Sequence, residues 1–157
     1  MARMARIVVP GSPHHVVQRG VRSMDIFRDD GDRNRYLDLL SDFGKRHGVQ
    51  FWAWCLMTNH VHLVVVPAAE DSLARAVGQA HKHYAQSVNR REKARGHLFQ
   101  ERFYSYPIQQ DAHFLVVVRY VELNPVAAGI VSQAEEHRWS SARYHVSGGR
   151  DPIVEND

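Results

Sequence analysis

Residues 57–66 read MTNHVHLVVV. From Val61 onward the run has the aliphatic, β-branched content of a buried strand, yet His60 and His62 flank Val61 where that strand begins. Successive strand side chains alternate between faces, so His60 and His62 project side by side from one face. Val61, Leu63 and Val65 point the other way, toward a core. Two neutral imidazoles at this spacing can share one divalent cation. The plainer alternative is a pair of partly exposed histidines on an open sheet face.

Working outward, VQFWAWCLM (49–57) alternates, with Val49, Phe51, Ala53 and Cys55 on one face and Gln50, Trp52, Trp54 and Leu56 on the other. Thr58 and Asn59 make a tight connection, so this strand and the histidine strand form a hairpin, which Pro67 ends. Upstream, HHVVQR (14–19) reads as a short strand. Asp30 or Asp32 is expected to cap a helix running to about His47, with Tyr36, Leu39, Leu40 and Phe43 as its apolar stripe and Gly48 as its stop. Downstream, Asp71 or Ser72 is expected to cap a helix to about Asn89, with Leu73, Ala76, Val77, Ala80, Tyr84 and Val88 inward. RREKARG (90–96) reads as a basic loop and RFYSYPIQ (102–109) as a fourth strand weakened by Pro107. Asp111 is expected to cap a third helix, AHFLVVVRYVELN, that Pro125 breaks. PVAAG then adds one turn, closed by Gly129.

The order β-α-β-β-α-β followed by a helix defines an α+β class: a ferredoxin-like split βαβ with an antiparallel sheet and helices on one face, plus an additional C-terminal helix. The first and third strands are central in that arrangement. Residues 1–146 are expected to form one domain and 147–157 a flexible tail.

Composition narrows the class. The chain of 157 residues is 44% hydrophobic and 24% charged, as in ordinary globular domains. No apolar run approaches membrane-spanning length, and the N-terminus lacks a signal-peptide pattern. Cys55 is the single cysteine, which excludes an internal disulfide, fits a cytoplasmic location and reads as a small buried residue. The net charge of +3 is modest but uneven. Residues 75–102 carry Arg75, Lys82, Arg90, Arg91, Lys93, Arg95 and Arg102 against Glu92 and Glu101. Residues 1–28 carry Arg3, Arg6, Arg19, Arg22 and Arg28 against Asp25. Two basic segments beside an acidic tail point to a polyanion-binding face, with an unevenly charged solvated surface as the alternative.

The third helix completes the histidine pair. Tyr120 and Asn124 are four residues apart, hence on one helical face. Asn124 offers a carbonyl oxygen that a hard cation accepts, and Tyr120 a hydroxyl that can attack an electrophile beside it. Phe114, Leu115, Val118 and Val121 supply an apolar face, while Tyr120 falls in line with His113, Val117 and Asn124.

MTNHVHLVVV resembles the HUH motif, two histidines around a bulky hydrophobic residue, and RYVELNPVAAGIV (119–131) resembles the tyrosine-helix signature of the REP-associated tyrosine transposases. These are relatives of the single-tyrosine HUH transposases of bacterial insertion sequences. GHLFQERF (96–103) and DIFRDDGDRNRYLDLL (25–40) resemble further family segments in the family's order, so the likeness spans roughly residues 12–145. Thr58 stands where the family usually has proline, and Phe99 where tryptophan is common.

The resemblance implies cleavage and rejoining of single-stranded DNA at palindromic repeats that fold into hairpins. It makes Tyr120 the catalytic nucleophile, leaving a 5′-phosphotyrosine, and His60, His62 and Asn124 the ligands of Mg²⁺ or Mn²⁺. A phenol is protonated at neutral pH and needs assistance to attack, and once esterified it leaves readily, so a 3′-hydroxyl can reseal the strand without ATP. Arg90, Arg91, Lys93 and Arg95 are candidate contacts to the hairpin backbone, with Arg102 in the same basic segment, and Arg19 and Arg22 to the single-stranded flank. The implied assembly is a monomer or a homodimer. Two other readings use the same residues: a metal-dependent nuclease with no covalent intermediate, and a non-catalytic nucleic-acid-binding sheet.

Overall fold

In a computed structural model of the chain, residues 5–154 are described. Arg3 of the N-terminal basic segment, and residues 155–157 of the expected flexible tail, lie outside them.

Four antiparallel strands, β1 (His14–Arg19), β2 (Val49–Leu56), β3 (His60–Pro67) and β4 (Tyr104–Pro107), pair in the order β2-β3-β1-β4. β1 and β3 are therefore central, as the split βαβ arrangement requires. Helix α1 (Asp30–His47) and helix α2 (Gln79–Glu92) cover one sheet face. They pack Tyr36, Leu40, Phe43, Ala80 and Tyr84 onto Val16, Val61, Leu63 and Val65. Helix α3 (Asp111–Ala127) crosses the other face, placing Val117 and Val121 against Ala53, Cys55 and Val64. Cys55 is fully buried, and burial pushes its thiol up to about 12.

Local signals explain most element ends. The α1 cap is Asp29 rather than Asp30 or Asp32: its side chain accepts the Asp32 N–H at 3.0 Å. Asp32 instead turns back to accept the Arg28 N–H at 2.8 Å. Gly48 adopts φ 71°, the left-handed stop that closes α1. α2 begins after a π-type turn, Ala74–Gly78, and runs on to Glu92, so Arg90 and Arg91 are helical rather than part of a loop. Lys93 ends it at φ 53°.

Further expectations, on β2, on α3 and on the C-terminal segment, are corrected. β2 carries a bulge: Phe51 pairs with Val65 but Ala53 with Val64, leaving Trp52 as the extra residue. The alternation reverses there, so Phe51 and Trp54 share the face under α1 and α2, while Ala53 and Cys55 meet α3. Trp52 packs edge-on against Phe114 of α3. Second, α3 continues through Pro125. Ala128 N–H bonds the Asn124 carbonyl at 3.0 Å, and Gly129 closes the helix at φ 75°. Pro125 is buried in the last turn, where the missing N–H removes one bond without unwinding the helix. Along α3, Val121, Phe114 and Val118 pack inward as read from sequence, but Val117 is buried in place of Leu115, which is exposed.

Third, the segment after residue 147 is anchored as far as Val154. Asp151 and Ile153 are buried, and both Asp151 carboxylate oxygens accept the Trp54 indole N–H at 3.0 Å. Before it, Ser141 N–H bonds Trp54 O, and Leu56 N–H bonds Trp139 O, covering the exposed edge of β2. Glu122 of α3 accepts from Ser141 Oγ at 2.5 Å and His145 Nδ1 at 2.6 Å, so it ties α3 to this segment. The hydrogen bond to Glu122 raises the pKa of His145 above its ordinary value.

Candidate active site

β1, β3 and β4 each contribute to the sheet face beneath α3. Register sets His15 and Val17 of β1 on this face, opposite Val64 and His62 of β3, with Tyr106 and Tyr104 of β4 on the other side. The His60 and His62 rings stand 5.1 Å apart at 85°. His60 Nδ1 lies 2.7 Å from Asn59 Oδ1, an acceptor, so Nδ1 carries the proton and Nε2 the lone pair. Asn124, descending from α3, comes close to the same imidazole. His62 Nδ1 lies 3.0 Å from His15 Nε2, and His15 Nδ1 lies 2.7 Å from the Tyr106 hydroxyl.

Tyr120 hangs over this group. Its ring centroid is 5.6 Å from that of His62 at 87°, and 6.1 Å from that of His15 at 78°. Tyr120 is 55% exposed, so a polymer can approach it from solvent, while His62 is 5% exposed. The structure thus brings together Tyr120, Asn124, His60 and His62 from one chain. His113 is exposed on α3.

Burial governs the electrostatics. It pushes His62 down to about 3, helped by the neighbouring His15, His60 and Arg19. Burial likewise lowers His15 to about 4. His60 is lowered by burial and by Arg19, partly countered by the nearby Asn124 amide. All three rings are neutral at pH 7, the state in which an imidazole nitrogen can donate to a cation. Among the described residues no group of three His, Cys, Asp or Glu side chains is arranged to hold a metal. A cation here would depend on His60, His62 and the amide of Asn124. That neutral donor set fits an open divalent site whose charge stays available to an anion.

The basic candidates divide. Arg19 pairs in register with His60 at the site's edge. Arg22 lies on the tight turn Val21–Ser23 at φ 54°. This loop docks on the β2–β3 turn, through Gly20 N–H to Asn59 O and Ile26 N–H to Thr58 O, each at 2.9 Å. A Cβ at Gly20 would stand 2.1 Å from the Met24 carbonyl oxygen, so only glycine fits there. Arg95 lines a cavity of about 640 Å³ between this loop and the end of α2. Arg90 and Lys93 sit on that exposed helix end. Arg91 differs, because it pairs with the buried carboxylate of Asp32 and with Glu92, which gives it a structural task. Arg102 lies close enough to Arg6 to lower its pKa.

Sequence reasoning missed His15 and Tyr106. His15 sits in the first strand and Tyr106 in the fourth, and only the sheet register brings them to His62. The alternation of HHVVQR places His15 and Val17 on one face, but the sequence does not say which face.

The family described as "Transposase IS200 like" matches residues 9–124, from before β1 to Asn124, and the chain belongs to that family. Among solved structures, a REP-associated tyrosine transposase bound to a REP hairpin is 17% identical with a TM-score of 0.77, covering 100% of this chain and 93% of that one. A candidate transposase from Deinococcus radiodurans R1 is 16% identical with a TM-score of 0.51, covering 77% of this chain and 96% of the other. At these identities the likeness establishes the fold. Among curated proteins no significant match is found.

Proposed function

We propose that this transposase cuts and rejoins single-stranded DNA at palindromic repeats that fold as hairpins, through a covalent 5′-phosphotyrosine on Tyr120. The observation that carries the reading is the placement of an exposed phenol against His62, beside His60 and Asn124, within one chain. A surface tyrosine with no chemical task has no need of neutral, partly buried imidazoles beneath it. The hairpin is suggested by the fold neighbour's bound DNA and by the basic surface around the end of α2.

Tyr120 Oη would attack the phosphorus and lose its proton, while the P–O3′ bond breaks and the 3′-oxygen leaves as a hydroxyl. The 5′-phosphate stays on the tyrosine. Resealing reverses these bond changes with an incoming 3′-hydroxyl, so no nucleotide cofactor is consumed. His60 and His62, as neutral rings, and Asn124, through its amide oxygen, would hold Mg²⁺ or Mn²⁺. The chemistry such a cation would supply, held by these residues, is polarisation of a non-bridging phosphate oxygen and compensation of its developing charge. Arg19 would orient the DNA strand next to the scissile phosphate, and Arg90, Lys93 and Arg95 would bind more distant phosphates. Because one chain supplies every proposed group, a monomer suffices for cleavage. A covalent adduct with a repeat oligonucleotide that survives denaturation, and is lost in Tyr120→Phe, tests the reading. Strand cutting without such an adduct would favour a hydrolytic nuclease.

A further inference from the structure

Each of the two proposed ligand imidazoles has a partner on the side away from the site. For His60 it is local: Asn59 Oδ1 holds Nδ1–H at 2.7 Å, and Asn59 Nδ2 donates to Ser23 O at 3.3 Å, which fixes the amide's orientation. For His62 the partner comes from two other strands. Tyr106 Oη, His15 and His62 form a continuous line with contacts of 2.7 Å and 3.0 Å. The His15 and His62 ring planes lie within 20° of each other with centroids 5.2 Å apart, edge to edge, as an in-plane hydrogen bond between ring nitrogens requires. They are 4% and 5% exposed, so the nitrogens that face each other have no water to turn to.

A line of this kind has two proton arrangements. In the first, His62 Nδ1–H donates to His15 Nε2 and His15 Nδ1–H donates to Tyr106 Oη. His62 Nε2 then carries a lone pair toward the site. In the second, Tyr106 O–H donates to His15 Nδ1 and His15 Nε2–H donates to His62 Nδ1. His62 Nε2 is then protonated and cannot ligate. The two differ in no heavy-atom position, so the choice rests on which end of the line better accepts a proton.

We propose that His15 and Tyr106 are positioning residues that hold His62 in the tautomer able to bind the cation, the Tyr106 oxygen acting as the terminal acceptor. The inference rests on the cation site of the preceding reading, but it concerns the side chains behind that site. Tyr106 suits the role because the residue is only partly buried, at the sheet's edge strand, so its hydroxyl can turn its own proton outward while its lone pair receives His15. A buried hydroxyl would have to donate inward.

The test combines Mn²⁺ titration with ring-nitrogen NMR on the full chain without metal. Outer partners of metal-bound histidines contribute about 10–100-fold to affinity. Tyr106→Phe and His15→Leu should therefore weaken Mn²⁺ binding by about tenfold or more. His15→Gln, whose amide oxygen can still accept from His62 Nδ1–H, should retain most of it. Hairpin DNA binding measured without metal should persist in all three variants, which separates loss of the relay from loss of the fold. In the wild type the His62 proton should reside on Nδ1, moving toward Nε2 in Tyr106→Phe. A wild-type His62 protonated on Nε2, or an unchanged Mn²⁺ affinity in both Tyr106→Phe and His15→Leu, would overturn the relay. Absence of Mn²⁺ binding by the wild type would overturn the cation site as well. A relay that behaves as described in a chain that forms no DNA adduct would leave this inference standing and remove the nucleophile reading alone.

Discussion

Tyr120 stands edge-on to His62 of its own chain, with the two ring centroids 5.6 Å apart. α3 reaches this position by packing Val117 and Val121 into the small cluster formed by Ala53, Cys55 and Val64. The phenol is therefore delivered by the same chain that presents the histidines.

This geometry predicts the outcome of mixing two inactive variants. Tyr120→Phe retains the histidines, and His62→Ala retains the phenol. If each site is built within one chain, combining the purified variants restores no cleavage of a repeat oligonucleotide. Recovery of a substantial fraction of wild-type activity would mean that α3 serves the site of a second copy.

Arg90 and Arg91 are sequence neighbours with different expected phenotypes. Arg91 neutralises Asp32, whose side chain is 7% exposed. Arg91→Ala should cost about 1–3 kcal/mol in urea unfolding, the usual penalty for leaving a buried polar group unpaired. Arg90→Ala should leave stability within about 0.5 kcal/mol. It should instead reduce the salt dependence of hairpin binding by about one unit of log–log slope. Equal stability losses in the two variants would contradict this division.

His81 sets part of the acid sensitivity. It is fully buried, pushed down to about 3 by burial and by Arg6, and its Nε2 meets the Tyr36 hydroxyl at 2.8 Å. In the unfolded chain an imidazole titrates near its ordinary value of 6.5. Between these values the unfolded state binds the proton that the folded state refuses, so stability is complete above pH 6.5 and falls as pH drops toward 3. His81→Phe should flatten that decline, measured as the difference in unfolding free energy between pH 7 and pH 4.5. An unaltered decline would show that His81 takes up its proton in the native state.

Much of this was legible in the sequence, and the gaps have physical causes. The histidine strand was readable because β-alternation fixes His60 and His62 on one face regardless of context. The helical spacing of Tyr120 and Asn124 survives for the same reason, and the overall order of elements gave the sheet topology. The bulge at Trp52 was not readable, since an extra residue in a strand has no local signature and appears only against its partner. Pro125 misled because the rule that proline ends helices concerns the preceding residue in isolation. Here the buried proline ring and the bonds from Ala128 and Ile130 keep the last turn helical. The anchoring of Asp151 depends on one indole N–H of Trp54, 97 residues away, which no window of sequence contains. His15 and Tyr106 were missed because they serve the site only through cross-strand register.

The proposed chemistry stands on a covalent bond between Tyr120 and a DNA 5′-phosphate. Purified protein, Mn²⁺ and a single-stranded oligonucleotide carrying a hairpin repeat with its unpaired flank provide the direct test, read on a denaturing gel and by peptide mass. One adduct is expected, mapped to Tyr120, absent from Tyr120→Phe although that variant still binds the hairpin. An adduct that persists in Tyr120→Phe, or that maps to Tyr104 or Tyr106, would contradict it.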